Sequence, residues 1–178
     1  AALVIILAMA AGTFFDFSIP GGNIPIRVNV GGALIPLALV IWLTVTAEDA
    51  SDKTRAVTSA VVTGLVVWGL TKVLNPEEQF MRLNPMLMFG IAAGVIAALS
   101  GRSRRAAFIG GVGGILLSDI FHWIELAVTN TPGSVAFGGA GAFDATVIAG
   151  IVAVGLMEFV GEAREHMVKT PKQGEGER

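Results

Sequence analysis

The stretch RAAFIGGVGGILLSDIFHWIELAVT, residues 105–129, decides the fold. As a helix rising 1.5 Å per residue it would reach roughly 37 Å, more than the ~30 Å of a bilayer's hydrocarbon. Its first half is threaded with glycine, and its middle carries one carboxyl, Asp119, among apolar neighbours. An acid at that depth is costly even on the most lenient insertion scale, so it faces protein or water and marks a working position. A second acid stands in the same relation to the next apolar run: Asp144 in GGAGAFDATVIAG, residues 138–150.

The rest of the chain repeats the pattern. It has 178 residues, 53% hydrophobic and 15% charged, with mean hydropathy +0.72. Soluble domains average about 25% charged residues. Here the charges gather in short connections (AEDASDKTR, NPEEQFMRLNP, GRSRR) and leave six apolar runs, near 1–15, 31–48, 55–74, 85–100, 105–129 and 143–161. This predicts an all-α integral membrane protein: a bundle of about six transmembrane helices over residues 1–161, then a polar cytoplasmic tail, 162–178, disordered at its end. The first run lacks the basic flank of a signal peptide and reads as a retained helix. Gly90 with Gly94 and Gly110 with Gly114 form GxxxG pairs, which read as close helix packing. A net charge of −2 without a basic stripe excludes a nucleic-acid partner. With no cysteine, disulfides and thiolate metal sites are excluded as well.

Lys and Arg set the orientation. Lys53, Arg55, Arg102, Arg104, Arg105 and the tail's Arg164, Lys169, Lys172 and Arg178 fall on one side of a six-span bundle. Arg27, Lys72 and Arg82, diluted by Glu77 and Glu78, fall on the other. The expectation is a multi-pass protein of the cell membrane, N-in and C-in. Between the first two runs, TFFDFSIP, GGN and IPIRVNV read as a short β-hairpin with a Gly-Gly-Asn turn. Asp16 and Ser18 share one face of its first arm, Arg27 and Asn29 one face of its second. A bare hairpin edge cannot sit in lipid, so it belongs at the outer surface or against a cavity. The plainer alternative is a connecting loop in which Asp16 pairs with Arg27.

Six polar groups converge on the outer leaflet in this reading. Asp119 and His122 are three apart on one helix face, Glu125 follows a turn later, and Asp144 opens the sixth run. Asp16 and Asn29 stand at the ends of the first two runs. Four chemistries compete. Two carboxyls in close contact share one proton, so the pair Asp119 and Asp144 suits hydrolysis of a peptide bond without a metal or other cofactor. Asp119, expected to be the more buried, would hold the proton. His122 and Asn29 would orient groups nearby, and Gly138, Gly139 and Gly141 would admit backbone or substrate. The hairpin would offer an edge to an unwound transmembrane peptide. Alternatively, Asp119, His122, Glu125 and Asp144 are a zinc-type donor set, but a single histidine without an HExxH motif makes this thin, and no metal is expected. Acids and a histidine inside a bundle also serve a small proton- or ion-coupled transporter or channel; against this, the inner half offers no matching polar path. The last option is a non-catalytic scaffold with satisfied acids. The partners these readings imply are membrane lipid, a transmembrane peptide, a proton or cation, and a second copy of the chain.

Two resemblances follow. SDIF (118–121) and GAGAFDATVIAG (139–150) resemble the GxGD aspartyl intramembrane proteases, the presenilin and signal-peptide-peptidase group. Members carry one Asp in mid-helix and another after Gly-x-Gly at the head of the next, which implies a catalytic role for Asp119 and Asp144. Phe143 stands where that group has glycine, and Ile35-Pro36-Leu37 stands in for its Pro-Ala-Leu. Over most of its length the chain is similar to an uncharacterised prokaryotic family of polytopic membrane proteins (domain of unknown function sixteen-fourteen). RVNVGGALIPLAL (27–39), LLSDIFH (116–122) and GGAGAFDATVIAGIVAV (138–154) carry this second likeness. It implies the membrane bundle and no particular activity.

Overall fold

A computed structural model describes residues 2–20, 24–74 and 84–168. The Gly-Gly-Asn turn, the loop holding Glu77, Glu78 and Arg82, and the tail from Lys169 onward lie outside the described residues. The fold is mainly helical. In order come α1 (Ala2–Gly12), β1 (Asp16–Ile19), β2 (Ile26–Asn29), a π-helical turn (Val30–Leu34), α2 (Ile35–Val45), α3 (Ala50–Val73), α4 (Pro85–Gly101), α5 (Arg104–Thr129), β3 (Val135–Phe137), a 3-10 turn (Gly141–Phe143) and α6 (Ala145–Val168).

Local chemistry sets the helix ends. Asn84 Oδ1 accepts from Met86 N at 2.9 Å, and Pro85 fills the first turn of α4, where its missing N–H costs nothing. Ser103 Oγ accepts from Ala106 N at 3.1 Å to start α5. Asn130, at φ 51°, ends it in the left-handed conformation that Asn tolerates best after Gly.

Among the described residues, three helices, Ala50–Val73, Arg104–Thr129 and Ala145–Ala163, are long and apolar enough to cross a membrane. The other apolar segments, Leu3–Gly12, Val30–Val45 and Pro85–Gly101, are shorter. The 11 residues of α1 reach only roughly 16 Å. The expected first run to residue 15 is cut at Gly12, because Thr13 begins the turn into β1. At the other end, α6 continues to Val168, so the start of the polar tail is helical.

The packing is that of a membrane protein. Bulky side chains point outward, among them Leu65, Ile91, Leu99, Ile124, Val128, Ile151 and Phe159. Small ones fill the interior: Ala93, Ala97, Ala107, Ala149 and Ala153 are wholly buried. In lipid, helices gain little from burying leucine against leucine, and close backbone contact through small residues holds them together. Both GxxxG pairs act in this way. A β-carbon on Gly90 or Gly94 would meet Ile148 or Val152 of α6 at 2.8 or 2.6 Å. One on Gly110 or Gly114 would run into Ser59 or Thr63 of α3. The matched order of these contacts makes α3 run parallel to α5, and α4 parallel to α6. The central element is α5, buried on nearly every side from Ala106 to Leu116.

The hairpin forms as expected, with Asp16 opposite Asn29 and Ser18 opposite Arg27. It is part of a larger unit: β3 adds parallel to β2, giving a three-stranded sheet in the order β1-β2-β3. The segment VAF reads from sequence as part of a loop, since three residues show no alternation.

Candidate functional site

Asp144 is placed by the turn before α6. Its Oδ1 accepts from the backbone N–H and the hydroxyl of Thr146, at 2.9 and 2.8 Å. Its Oδ2 accepts from Ala140 N at 3.3 Å. The carboxyl therefore caps α6, where the free N–H groups and the helix dipole favour negative charge. The 3-10 turn over Gly141–Phe143 shifts the helix start two residues past the expected position.

Asp119 projects from the middle of α5 and makes no hydrogen bond among the described residues. It lines a cavity of about 220 Å³ together with Val67 and Thr71 of α3, Phe89 of α4, Ser118 and Asp144. Among the described residues, no basic side chain lines that cavity. The sequence reading makes Asp119 the more buried of the two acids; by exposed surface the order is reversed. Asp144 is 6% exposed, folded under its own turn, and Asp119 is half-buried because it faces the cavity.

The other expected residues lie elsewhere. Each helical residue turns by ~100°, so steps of three carry His122 about 60° and Glu125 about 120° away from Asp119. Neither lines the cavity. Glu125 instead accepts from Lys72 Nζ and, at 3.2 Å, from Trp68 Nε1 on the α3–α5 rim. His122 Nδ1 lies 3.7 Å from the same carboxylate, and the Lys72 ammonium lies 5.4 Å from the Trp68 ring centroid. The zinc-type set is thereby split. Among the described residues, no three of His, Cys, Asp and Glu gather into a metal site.

Asn29 and Asp16 belong to a structural knot. Asn29, 2% exposed, donates from Nδ2 to Thr13 O and to Asp16 Oδ1, both at 2.9 Å. Its Oδ1 accepts from Gly32 N at 2.9 Å and caps the π-helical turn. Asp16 thus pairs with Asn29 rather than Arg27. Two of the three glycines expected to admit substrate are filled by the chain itself. Gly138 and Gly141 have φ of 65° and 62°; a β-carbon on the first would strike the Gly32 backbone, and on the second the Thr13 side chain. Thr13 Oγ1 also accepts from Ala142 N at 3.0 Å. Gly139 is exposed, with Ala136 as its only near contact.

Sequence reasoning missed a column of hydroxyls below the cavity. Ser59 and Thr63 of α3 are wholly buried, and Thr71 lines the cavity. Ser59 Oγ lies 2.6 Å from Ser100 Oγ. Thr63 Oγ1 has no hydrogen-bond partner among the described residues. Part of the signal was present: Ser59 and Thr63 are four apart, hence on one helix face, while Thr71 lies about 80° round from Thr63.

No curated protein and no solved structure matches the chain, so the likeness to aspartyl proteases remains one of short motifs. A family profile does match, over residues 7–156, and the chain belongs to the family described as protein of unknown function, DUF1614.

Proposed function

We propose that this is a multi-pass protein of the cell membrane and an intramembrane aspartyl hydrolase, with Asp119 and Asp144 as its dyad. The observation that carries the reading is that these two acids, from consecutive helices, line one cavity with no basic partner in it among the described residues. Asp144 spends its oxygens as an acceptor. Asp119 spends neither and is left to carry the shared proton. In the reaction, Asp144 takes a proton from water as the water oxygen bonds to the peptide carbon. Asp119 gives its proton to the carbonyl oxygen. Collapse of the resulting gem-diol breaks the C–N bond, with a proton passing to the leaving nitrogen. Ala136 of β3 lines the same cavity, so an unwound substrate would meet a strand edge there.

The test is cleavage of a reporter transmembrane peptide in proteoliposomes. Asp119→Asn and Asp144→Asn are each expected to lower the rate at least about a hundredfold. Asn is itself a good N-cap, so Asp144→Asn leaves the start of α6 in place and isolates the chemistry. Cleavage that persists in both variants overturns the dyad.

A second reading, proton or cation passage, gains from the column Ser100, Ser59 and Thr63, which puts polar groups in the inner half of the bundle. It expects pH-driven flux in the same liposomes that Asp119→Asn stops. Flux unchanged by that substitution removes it.

A further inference from the structure

We propose that the groove between α4 and α6 is a binding site for one anionic phospholipid, its acyl chain along the groove and its phosphate on Arg102. The groove encloses about 740 Å³ and is lined by Val95, Ala98 and Leu99 of α4, by Leu156, Met157 and Val160 of α6, and by Arg102 at its end. Its shape follows from sequence. The two helices touch where Gly90 and Gly94 face Ile148 and Val152. Past Gly94 the contact continues through Ala97, which packs with Ala153 and Met157, and the groove lies beside that contact, lined by Ala98, Leu99 and Leu156. Leu99 is 77% exposed, so the groove opens outward, as an acyl chain approaching from the bilayer requires.

The charge selects the head group. Of three neighbouring arginines, Arg104 is paired with Glu158 at 2.8 Å and Arg105 donates to Thr46 O at 3.2 Å. Arg102 has neither an ion pair nor a hydrogen bond among the described residues. It ends α4 in the left-handed conformation, at φ 61°, and lines the mouth of the groove. A guanidinium there offers two parallel N–H donors to a phosphate. An apolar trough ending in a cation that is unpaired among the described residues complements a single amphiphile: a lipid of the leaflet beside the arginine loop, with net negative charge.

Native mass spectrometry of the full chain, released from detergent with dioleoyl phosphatidylglycerol or dioleoyl phosphatidylcholine, tests this. The wild type is expected to retain phosphatidylglycerol roughly fivefold more than phosphatidylcholine, the worth of one interfacial arginine. Arg102→Gln should remove the difference, and Arg102→Lys should keep most of it. Leu99→Trp, which fills the groove without changing charge, should lower retention of phosphatidylglycerol; this variant carries the test if Arg102→Gln fails to fold. Equal retention of the two lipids, or an Arg102→Gln variant that behaves as wild type, overturns the site. So does displacement by millimolar inorganic phosphate, which would leave an anion site without a groove. Loss of a dimer in place of lipid on Leu99→Trp would reassign the groove to a second copy of the chain.

Discussion

Asn29 and Gly138 illustrate how single residues divide between structure and chemistry. Asn29 makes three hydrogen bonds from a buried position, and all three go to parts of its own chain. Replacing it with Leu strands the Thr13 carbonyl and the Gly32 N–H, at a cost of about 3 kcal/mol for groups left unpaired. Thermal unfolding in detergent should show the loss, and any fall in activity should track it. Gly138→Ala should be as damaging, since φ is positive and the Gly32 backbone occupies the space. Gly139→Ala, one residue on, should be nearly neutral. A Gly138→Ala variant as stable as wild type would mean that the turn does not press on Gly32. Asp119 and Asp144 were legible in the sequence because a carboxyl inside an apolar run costs too much to be incidental. The directions of His122 and Glu125 were not, because helical spacing gives an angle and only packing says which neighbour lies at that angle. Here α3 supplies Lys72 and Trp68, and they claim Glu125.

Among the elements, the long helices could be read from apolar length. The interior of α5 could also be read, since glycine at GxxxG spacing predicts an approach too close for any side chain. Strand β3 could not, because a three-residue parallel strand exists only once β2 is beside it. The π-helical turn has the same character: Gly31 and Gly32 are squeezed against α1 and the turn before α6, a tertiary demand with no local signature. The α4–α6 contact yields a sharp expectation. Gly94→Leu places a branched side chain where a single β-carbon already lies 2.6 Å from Val152. Overpacking of this kind typically costs about 1–3 kcal/mol, and Gly94→Leu belongs at or above the top of that range. Gly155→Ala, on α6 with nothing within 4 Å, should leave the melting temperature unchanged or slightly raised. If the two variants melt together, α4 and α6 are not joined at Gly94.

At the scale of the whole molecule, the open quantity is how the bundle crosses the bilayer. The Arg104–Glu158 pair and the Arg105–Thr46 bond bring the start of α5, the far part of α6 and the end of α2 to one face. The Asp119–Asp144 cavity lies toward the opposite end, beside the sheet. With the arginine face in the cytoplasm, Glu48 lies inside and Thr131 outside, and both are exposed. The chain contains no cysteine, so a single introduced thiol reports cleanly. In sealed right-side-out vesicles, a membrane-impermeant maleimide should label Thr131→Cys and leave Glu48→Cys unlabelled until the vesicles are opened. The short segments make this a real test, because α1 covers only about half the hydrocarbon and the Val30–Val45 segment about four fifths. Phe14, in the turn between α1 and β1, shares the sheet end with Thr131, so Phe14→Cys labelled only from the inside while Thr131→Cys labels from the outside would mean that β1 and β2 are not joined to β3. If the whole bundle is inverted, Glu48→Cys labels first. The three thiols therefore report the orientation, and Phe14 and Thr131 outside with Glu48 inside is the pattern that N-in and C-in requires.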